Sequence, residues 1–239
     1  MTPVRVAVRG LAALVLVAAA ASALALPPLA DPAAWRIAGL PRSSVPLTRF
    51  AFETVDGRAA VRVEAEGSYG NLVHALDDAA AAGGPRRLRW SWRLDRPLAA
   101  ADLRTRDGDD AALKVCALFD LPLDALGVIE RAKMRMARAL ADEWLPAATL
   151  CYVWDPALPP GTLLPNAHSP RLRWIVARGR GTPAGAWQDE SHDLRADFLR
   201  AFGDESTTLP PLRALALGAD ADNTGGRSLG YVAGVELAP

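Results

Sequence analysis

Within RRLRWSWRLD, residues 86–95, apolar and polar side chains alternate from Arg87 to Asp95. Leu88, Trp90, Trp92 and Leu94 occupy every second position, with Arg or Ser between them. Because successive side chains of a β-strand point to opposite faces, this pattern predicts a half-buried strand with a strongly apolar inner face. Such strands are typical of sheets that have one face on a core and the other in solvent.

Further strand-like runs follow along the chain, separated by turn residues. They are predicted at about residues 60–66, 111–119, 148–154, 171–178, 212–219 and 229–237. Most of these runs have no helical segment between them, which argues against a doubly wound α/β fold. The set predicts a mostly β fold, an antiparallel β-sandwich or jelly roll. The proline-punctuated residues 26–54 are predicted to add one or two edge strands.

Two helices interrupt this pattern. The first, in an insertion at about 124–144, repeats apolar residues at helical spacing, at Leu126, Ile129, Met136 and Leu140. We interpret it as an amphipathic helix that packs on the edge of the sandwich, and a basic helix that contacts a membrane is the alternative. A second, short helix is predicted at about 193–202, with Ser191 or Asp193 as its N-cap.

The first 25 residues have the layout of a secretory signal peptide. Arg5 and Arg9 precede an apolar run, and Ala23-Leu24-Ala25 has the small residues that signal peptidase reads. We predict cleavage after Ala25, which leaves a single β-sandwich domain over residues 26–239, periplasmic or secreted and without an integral membrane segment. An uncleaved N-terminal anchor is the alternative.

Charge argues against nucleic acid as a partner. The chain has 27 Lys and Arg against 27 Asp and Glu, whereas a phosphate backbone requires a basic face.

The two cysteines, Cys116 and Cys151, each lie inside a strand-like run. Export permits a disulfide, and neighbouring strands would bring the two Cα atoms into bridging range. Two buried free thiols are the alternative.

Two acidic segments are the candidate sites of chemistry. GDDAALK carries Asp109, Asp110 and Lys114, and GADADNTGG, at residues 218–226, carries Asp220, Asp222, Asn223 and Thr224. Adjacent carboxylates repel, so holding them together requires a cation, backbone N–H groups or solvent. Asp side chains that accept hydrogen bonds from local amides, and a hairpin turn at Gly225-Gly226, give a purely structural interpretation.

The second acidic segment matches a calcium-binding loop only in part. Asp220, Asp222 and Thr224 fit the first, third and fifth positions of an EF-hand loop, but Tyr231 stands where a bidentate Glu is required. The EF-hand is therefore excluded. A different structural Ca²⁺ site that includes Asp109 or Asp110 is left open, and no other cofactor is predicted.

Signatures of common enzymes are missing from the sequence: it has no GxSxG elbow, no phosphate-binding GxxxxGK, no HExxH and no dinucleotide fingerprint. Most tryptophans alternate with apolar residues and are predicted to lie in the core. Trp154, beside Asp155 at a strand end, is the candidate for stacking against the apolar face of a sugar ring.

Five segments in a fixed order resemble a bacterial family known as domain of unknown function 3047. They span about residues 86–237 and are LRWSWRL, GDDAALKVCALFD, LCYVWD, WQDESHDLRADFLRAFG and ALGADADNTGGRSLGYVAGVEL. The resemblance implies an exported β-sandwich, similar in outline to carbohydrate-binding jelly rolls. The sequence departs from the family pattern at His192, where the family carries Arg, and at both cysteines.

These observations predict a noncatalytic ligand-binding sandwich whose ligand is a carbohydrate or an envelope glycan. The predicted binding residues are Asp109, Asp110, Lys114, Trp154, Asp220, Asp222, Asn223 and Thr224. One alternative is a glycan hydrolase or lyase, which requires two carboxylates at about 5 to 10 Å separation. The other is a structural or protein-interaction domain, in which the aspartates lock loops.

Overall fold

The computed structural model describes residues 31–41, 43–77, 87–141 and 144–238, so the predicted signal peptide lies outside the described residues. The strands are β1 (Arg36–Ala38), β2 (Arg49–Val55), β3 (Arg58–Glu66), β4 (Tyr69–Ala75), β5 (Arg87–Arg96), β6 (Lys114–Phe119), β7 (Ala148–Trp154), β8 (Leu163–Pro165), β9 (Leu172–Arg178), β10 (Gln188–Asp193), β11 (Leu212–Asp220) and β12 (Arg227–Ala238). The α-helices are α1 (Val128–Leu140), between β6 and β7, and α2 (Leu194–Phe202), directly after β10.

These strands form two sheets. The order is β1-β4-β11-β6-β7-β9-β8 in the seven-stranded sheet and β10-β5-β12-β3-β2 in the five-stranded sheet. Neighbouring strands are antiparallel, with one departure from the prediction: β7 and β9 pair in parallel. The short antiparallel strand β8 then closes that edge of the larger sheet against β9.

The sheets pack face to face through the side chains that the alternation places inward. Trp90 of β5 contacts Tyr152 of β7 with 5.3 Å between ring centroids, and Trp92 contacts Trp154 at 5.6 Å. All four side chains are buried in one apolar core. Two sheets that enclose a core in this way form a β-sandwich, so the predicted mostly β sandwich is confirmed.

The N-terminal part of the chain supplies an edge strand to each sheet. β1 ends the seven-stranded sheet and β2 ends the five-stranded sheet, within the region where edge strands are predicted. β2 turns into β3 through Asp56 and Gly57, which both have positive φ, at 50° and 76°. Positive φ at both central residues is the geometry of a two-residue hairpin turn, and Asp-Gly is a favoured pair for it.

The central strands of the larger sheet are apolar on both faces. Their outward side chains, including Cys116, Cys151, Trp174 and Ala216, form a second buried cluster. Leu103, from the connection before β6, belongs to that cluster, and Leu158, after β7, packs against it. A strand that is covered on both sides has a continuous apolar sequence, which explains runs such as VCALF in β6.

Helix α1 lies the opposite way round from the prediction. Met134 is its buried residue, whereas Ile129, Met136 and Leu140 are exposed. The prediction that these three side chains pack on the edge of the sandwich is therefore wrong. Helix α2 follows its prediction: the Asp193 side chain accepts a hydrogen bond from Ala196 N at 3.0 Å, and the apolar face of the helix is buried. Within the described ranges, no helix is both long and apolar enough to cross a membrane.

Candidate functional site

The two acidic segments meet at one end of the seven-stranded sheet. β11 pairs with β6 so that Gly218 lies opposite Lys114. Beyond this pair, Asp220 N donates a hydrogen bond to Ala111 O at 3.0 Å. Antiparallel pairing of these two neighbouring strands therefore brings GDDAALK and GADADNTGG together, although about a hundred residues separate them in sequence.

Asp110 fastens one acidic segment to the other. Its buried carboxylate accepts hydrogen bonds from Asn223 N (3.1 Å), Thr224 N (2.8 Å) and Thr224 Oγ1 (2.5 Å). These bonds hold the loop after β11, which crosses from the seven-stranded to the five-stranded sheet. The predicted hairpin at Gly225-Gly226 is therefore wrong, because the flanking strands lie in different sheets.

Lys114 and Asp220 form a buried ion pair beside that loop. Lys114 Nζ lies 3.0 Å from Asp220 Oδ2, and Asp220 Oδ1 accepts a hydrogen bond from Ala111 N at 2.6 Å. The ammonium also lies over two aromatic rings, 4.7 Å from the Tyr69 centroid and 5.9 Å from that of Trp174. Burial lowers the pKa of Lys114, but the charge and hydrogen bond of Asp220, together with the charges of Tyr69 and Asp109, outweigh burial and keep that pKa above its ordinary value.

Gly218 makes the room in which the Lys114 side chain lies. A Cβ atom at Gly218 would stand 2.5 Å from both Asn71 Oδ1 and Gly70 O, and 3.2 Å from Lys114 Cε. The backbone contact leaves no space for any other residue type. Gly218 therefore leaves the space in which Lys114 reaches Asp220, in addition to forming part of β11.

Asp109 is the buried carboxyl group with an unused oxygen. Its Oδ2 accepts a hydrogen bond from Asn166 Nδ2 and lies 3.9 Å from His168 Nε2, whereas its buried Oδ1 has no hydrogen-bond partner among the described residues. Burial, reinforced by the negative charge of Asp220, raises the pKa of Asp109 to about 6. Asp109 therefore titrates close to neutral pH.

The other predicted binding residues divide between the core and the loop. Trp154 is buried against Trp92 in the sandwich core, so its predicted role as a stacking surface for a sugar is wrong. Asn223 and Thr224 are engaged with Asp110. Asp222 is half-buried, and burial together with the charge of Asp220 raises its pKa.

The geometry limits where a structural Ca²⁺ could bind. Among the residues with described positions, no group of three or more His, Cys, Asp or Glu is placed to hold a metal ion. Both oxygens of Asp220 accept hydrogen bonds, from Ala111 N and from the Lys114 ammonium. A cation at Asp220 would have to displace these donors.

An apolar groove of about 550 Å³ lies on the outer face of the seven-stranded sheet. Its floor includes Ala216 and the disulfide that joins Cys116 to Cys151, which lie opposite each other on β6 and β7. Residues 36–41 and the segment after α1 form its walls, and its polar end is made by Tyr69, Asn71 and Lys114. Lys114, one partner of the ion pair, thus lies at one end of an open cavity.

Sequence reasoning identified Lys114 but missed the groove next to it. Tyr69 and Trp174, which flank the Lys114 ammonium, were also missed. The signal was present in VCALF and LCYVW, because strands that are apolar on both faces need cover on both sides. Because other segments cover only part of the outer face, an apolar groove remains there.

The fold and its site define the class of protein. It is a two-sheet β-sandwich in which hydrogen bonds to Asp110 hold the inter-sheet loop, and an apolar groove lies on the outer face of the larger sheet. The chain belongs to the family described as protein of unknown function (DUF3047), whose model matches residues 33–236. The resemblance inferred from five sequence segments is therefore confirmed. No curated protein matches the chain.

Proposed function

We propose that this protein is a noncatalytic ligand-binding protein of the cell envelope whose ligand occupies the outer groove. The observation that carries the proposal is the groove itself, about 550 Å³ with a mainly apolar lining and a few polar groups at one end. Small-molecule sites are typically concave and apolar, with volumes of roughly 300–1,000 Å³ and a small number of polar groups that orient the ligand.

The charges around the groove favour a ligand with an anionic head. Arg36, Lys114 and Arg213 line it, and the described lining contains no Asp or Glu. Asp220 pairs with Lys114 and Asp120 lies 3.7 Å from Arg213, but neither carboxylate belongs to the groove lining, so the charged groups on that lining are cations. An amphipathic molecule with an apolar body and a carboxylate or phosphate head fits both the floor and this charge.

The predicted carbohydrate would be the head group of an amphipathic ligand and not its apolar body. Trp154 is buried, but Trp144 is exposed on the groove wall and offers an aromatic face there. A glycan attached to an apolar tail would satisfy the apolar floor, whereas a free oligosaccharide would leave that floor uncovered. The disulfide beneath the groove supports the predicted periplasmic or secreted location, since disulfides persist in oxidising compartments.

The hydrolase or lyase alternative is less well supported by the same contacts. The acidic segments do converge, but Asp110 and Asp220 use their oxygens for hydrogen bonds that hold the structure. Asp109 has a free oxygen and a pKa near 6, as a general acid requires, yet it is 4 % exposed. A glycosidase needs two carboxyl groups open to the substrate.

Titration calorimetry with three probes tests the proposal. Dodecanoate carries an apolar chain with an anionic head, dodecyl maltoside joins the same chain to a sugar, and soluble oligosaccharides carry the sugar alone. We expect dodecanoate, below its micellar concentration, to bind most tightly and the oligosaccharides not to bind. Binding of oligosaccharides alone, or of no probe, would contradict the proposal.

A matched pair of variants locates the binding. Thr149 lines the groove, so Thr149→Trp should fill it and weaken dodecanoate binding at least about tenfold, a free-energy change of about 1.4 kcal/mol. Thr54→Trp makes the same change at an exposed position on the edge strand β2 and should leave affinity unchanged. Equal affinities of the two variants would place the ligand outside the groove.

A further inference from the structure

Helix α1 presents an apolar face to solvent. Val128 is 80 % exposed, Ile129 72 %, Met136 62 % and Leu140 57 %. Ala132 and Ala139 lie on the same face and are exposed as well. A surface helix of a globular protein normally turns such a stripe towards the core, and an exposed apolar patch of this kind marks an interaction site.

The side chains beneath α1 fix this inverted orientation. Arg131 Nη2 donates to Asp124 O at 2.7 Å and to Leu126 O at 2.9 Å, and Arg138 Nε donates to Leu145 O at 3.0 Å. Rolling the apolar face inward would break these hydrogen bonds and leave backbone carbonyls without donors. The outward apolar face is therefore a stable feature of the fold.

Two basic residues flank the apolar face, one on each side. With 100° between successive helical residues, Lys133 lies at one border of the exposed stripe and Arg135 at the other. Both side chains are directed outward, although Glu130 reaches Lys133 from the inner side at 2.8 Å. An apolar stripe bordered by Lys and Arg is the pattern of a helix that lies in a membrane interface.

The apolar face continues to the mouth of the groove. Leu140, the last residue of α1, is also a groove residue, and exposed Trp144 follows it on the groove wall. Ile37 and Leu40 face solvent on the opposite wall, at 50 % and 39 % exposure. Tryptophan is enriched where proteins meet the headgroup region of a bilayer.

We propose that α1 and the groove rim dock this protein on the surface of an anionic phospholipid bilayer, with the apolar face of α1 immersed among the headgroups. Lys133 and Arg135 would then contact lipid phosphates, and the groove would open towards the acyl chains. This docking surface consists of α1 and the exposed residues of the groove rim. It does not depend on whether the groove holds a ligand.

A second copy of the chain fits the same surface less well. A two-fold dimer brings one patch against its own copy, so the basic borders of the two helices would face each other. Like charges in such an interface oppose association. An anionic bilayer, in contrast, offers an apolar interior to the stripe and negative charge to both basic borders.

Vesicle co-sedimentation tests this proposal with the chain recovered after export, its N terminus checked by mass spectrometry. The vesicles contain phosphatidylcholine alone or phosphatidylcholine with phosphatidylglycerol. We expect binding to the anionic vesicles, at least about tenfold weaker binding to the zwitterionic ones, and a decrease with added salt because the headgroup attraction is screened.

Two double variants with equal charge changes separate the apolar face from net charge. Ile129→Glu/Met136→Glu places acid on the docking face, and Arg58→Gln/Arg89→Gln removes two exposed charges from the outer face of the five-stranded sheet. We expect the first variant to lose binding at least about tenfold and the second to bind like the parent. Both should unfold at the parent temperature, because all four positions are exposed.

Three outcomes would overturn the proposal: no binding of the parent chain to either vesicle, equal losses in the two double variants, or a dimer that only Ile129→Glu/Met136→Glu disrupts while vesicle binding persists. Dodecanoate affinity is measured separately without vesicles. A failure of membrane docking is therefore distinguishable from a failure of the proposed ligand site.

Discussion

Lys114 Nζ lies 3.0 Å from Asp220 Oδ2, and both side chains are buried at the polar end of the groove. The pair joins neighbouring strands and stands where the two acidic segments meet. It also explains why acidic residues collect there: the lysine ammonium supplies the positive charge that a carboxylate cluster requires.

Removing either partner of this pair should be costly, because a lone buried charge is left behind. We expect Lys114→Met and Asp220→Asn each to lower the free energy of unfolding by about 3–5 kcal/mol, measured by urea denaturation. The double variant should lose less than the sum of the two. Lys133→Met breaks an exposed pair with Glu130 and should change stability by less than about 1 kcal/mol. Additive losses would show that the two charges do not interact.

Asp110 should govern the order of the inter-sheet loop. Asp110→Ala removes the acceptor for the amides of Asn223 and Thr224, so we expect those amides to exchange hydrogen much faster and stability to fall by about 3 kcal/mol. Asp107→Ala makes the same change at an exposed position of the same segment and serves as the control. Unchanged exchange at Asn223 and Thr224 in Asp110→Ala would refute this role.

Asp109 should make stability depend on pH in the unusual direction for a carboxyl group. Its pKa in the folded protein is about 6, above its ordinary value, so the folded state binds more protons than the unfolded state between those two values. Asp109 therefore makes its full contribution to the free energy of unfolding below its ordinary pKa. That contribution is lost as the pH rises to about 6.

Asp109→Asn should remove that dependence. Relative to this variant, the parent chain should lose on the order of 2 kcal/mol between pH 4 and pH 7, followed by thermal or urea unfolding. Asp107→Asn, at the exposed position, should track the parent across the same range. A parent chain that gains stability over Asp109→Asn with rising pH would contradict the raised pKa.

Trp144 and Trp154 should respond differently to the same substitution. Trp154→Ala opens a cavity in the core and should cost about 3–5 kcal/mol of stability. Trp144→Ala should leave unfolding almost unchanged and weaken dodecanoate binding, since Trp144 is exposed on the groove wall. Ligand binding that depends on Trp154 in a chain that remains folded would reverse this assignment.

The alternation around Trp90 and Trp92 was enough to predict a sandwich, because a period of two fixes which side chains enter the core. Weakly apolar strands were missed. β4, with the sequence YGNLVHA, lacks a clear alternation, and β10, QDESHD, is an edge strand made almost entirely of polar residues. Pairing with a neighbouring strand, rather than local pattern, makes these segments strands.

The orientation of α1 was mispredicted because helical spacing identifies an apolar stripe but not what covers it. Arg131 and Arg138 supply the inward contacts through hydrogen bonds to backbone carbonyls, and no sequence pattern reports those. The sequence singled out both acidic segments as candidate sites, and only the fold shows that they meet. Which carboxylates were engaged and which kept a free oxygen depended on Ala111, Asn166 and Asn223, whose positions only the fold determines.

The proposed amphipathic ligand would lie in the groove on the outer face of the seven-stranded sheet. The most direct measurement is an NMR titration of the amide-labelled protein with a doxyl-labelled stearate, whose spin label broadens nearby amide signals. We predict broadening at groove residues such as Cys116, Cys151 and Ala216, with little effect on the outer face of the five-stranded sheet. Broadening confined to other surfaces, or none at all below the micellar concentration, would contradict binding in the groove.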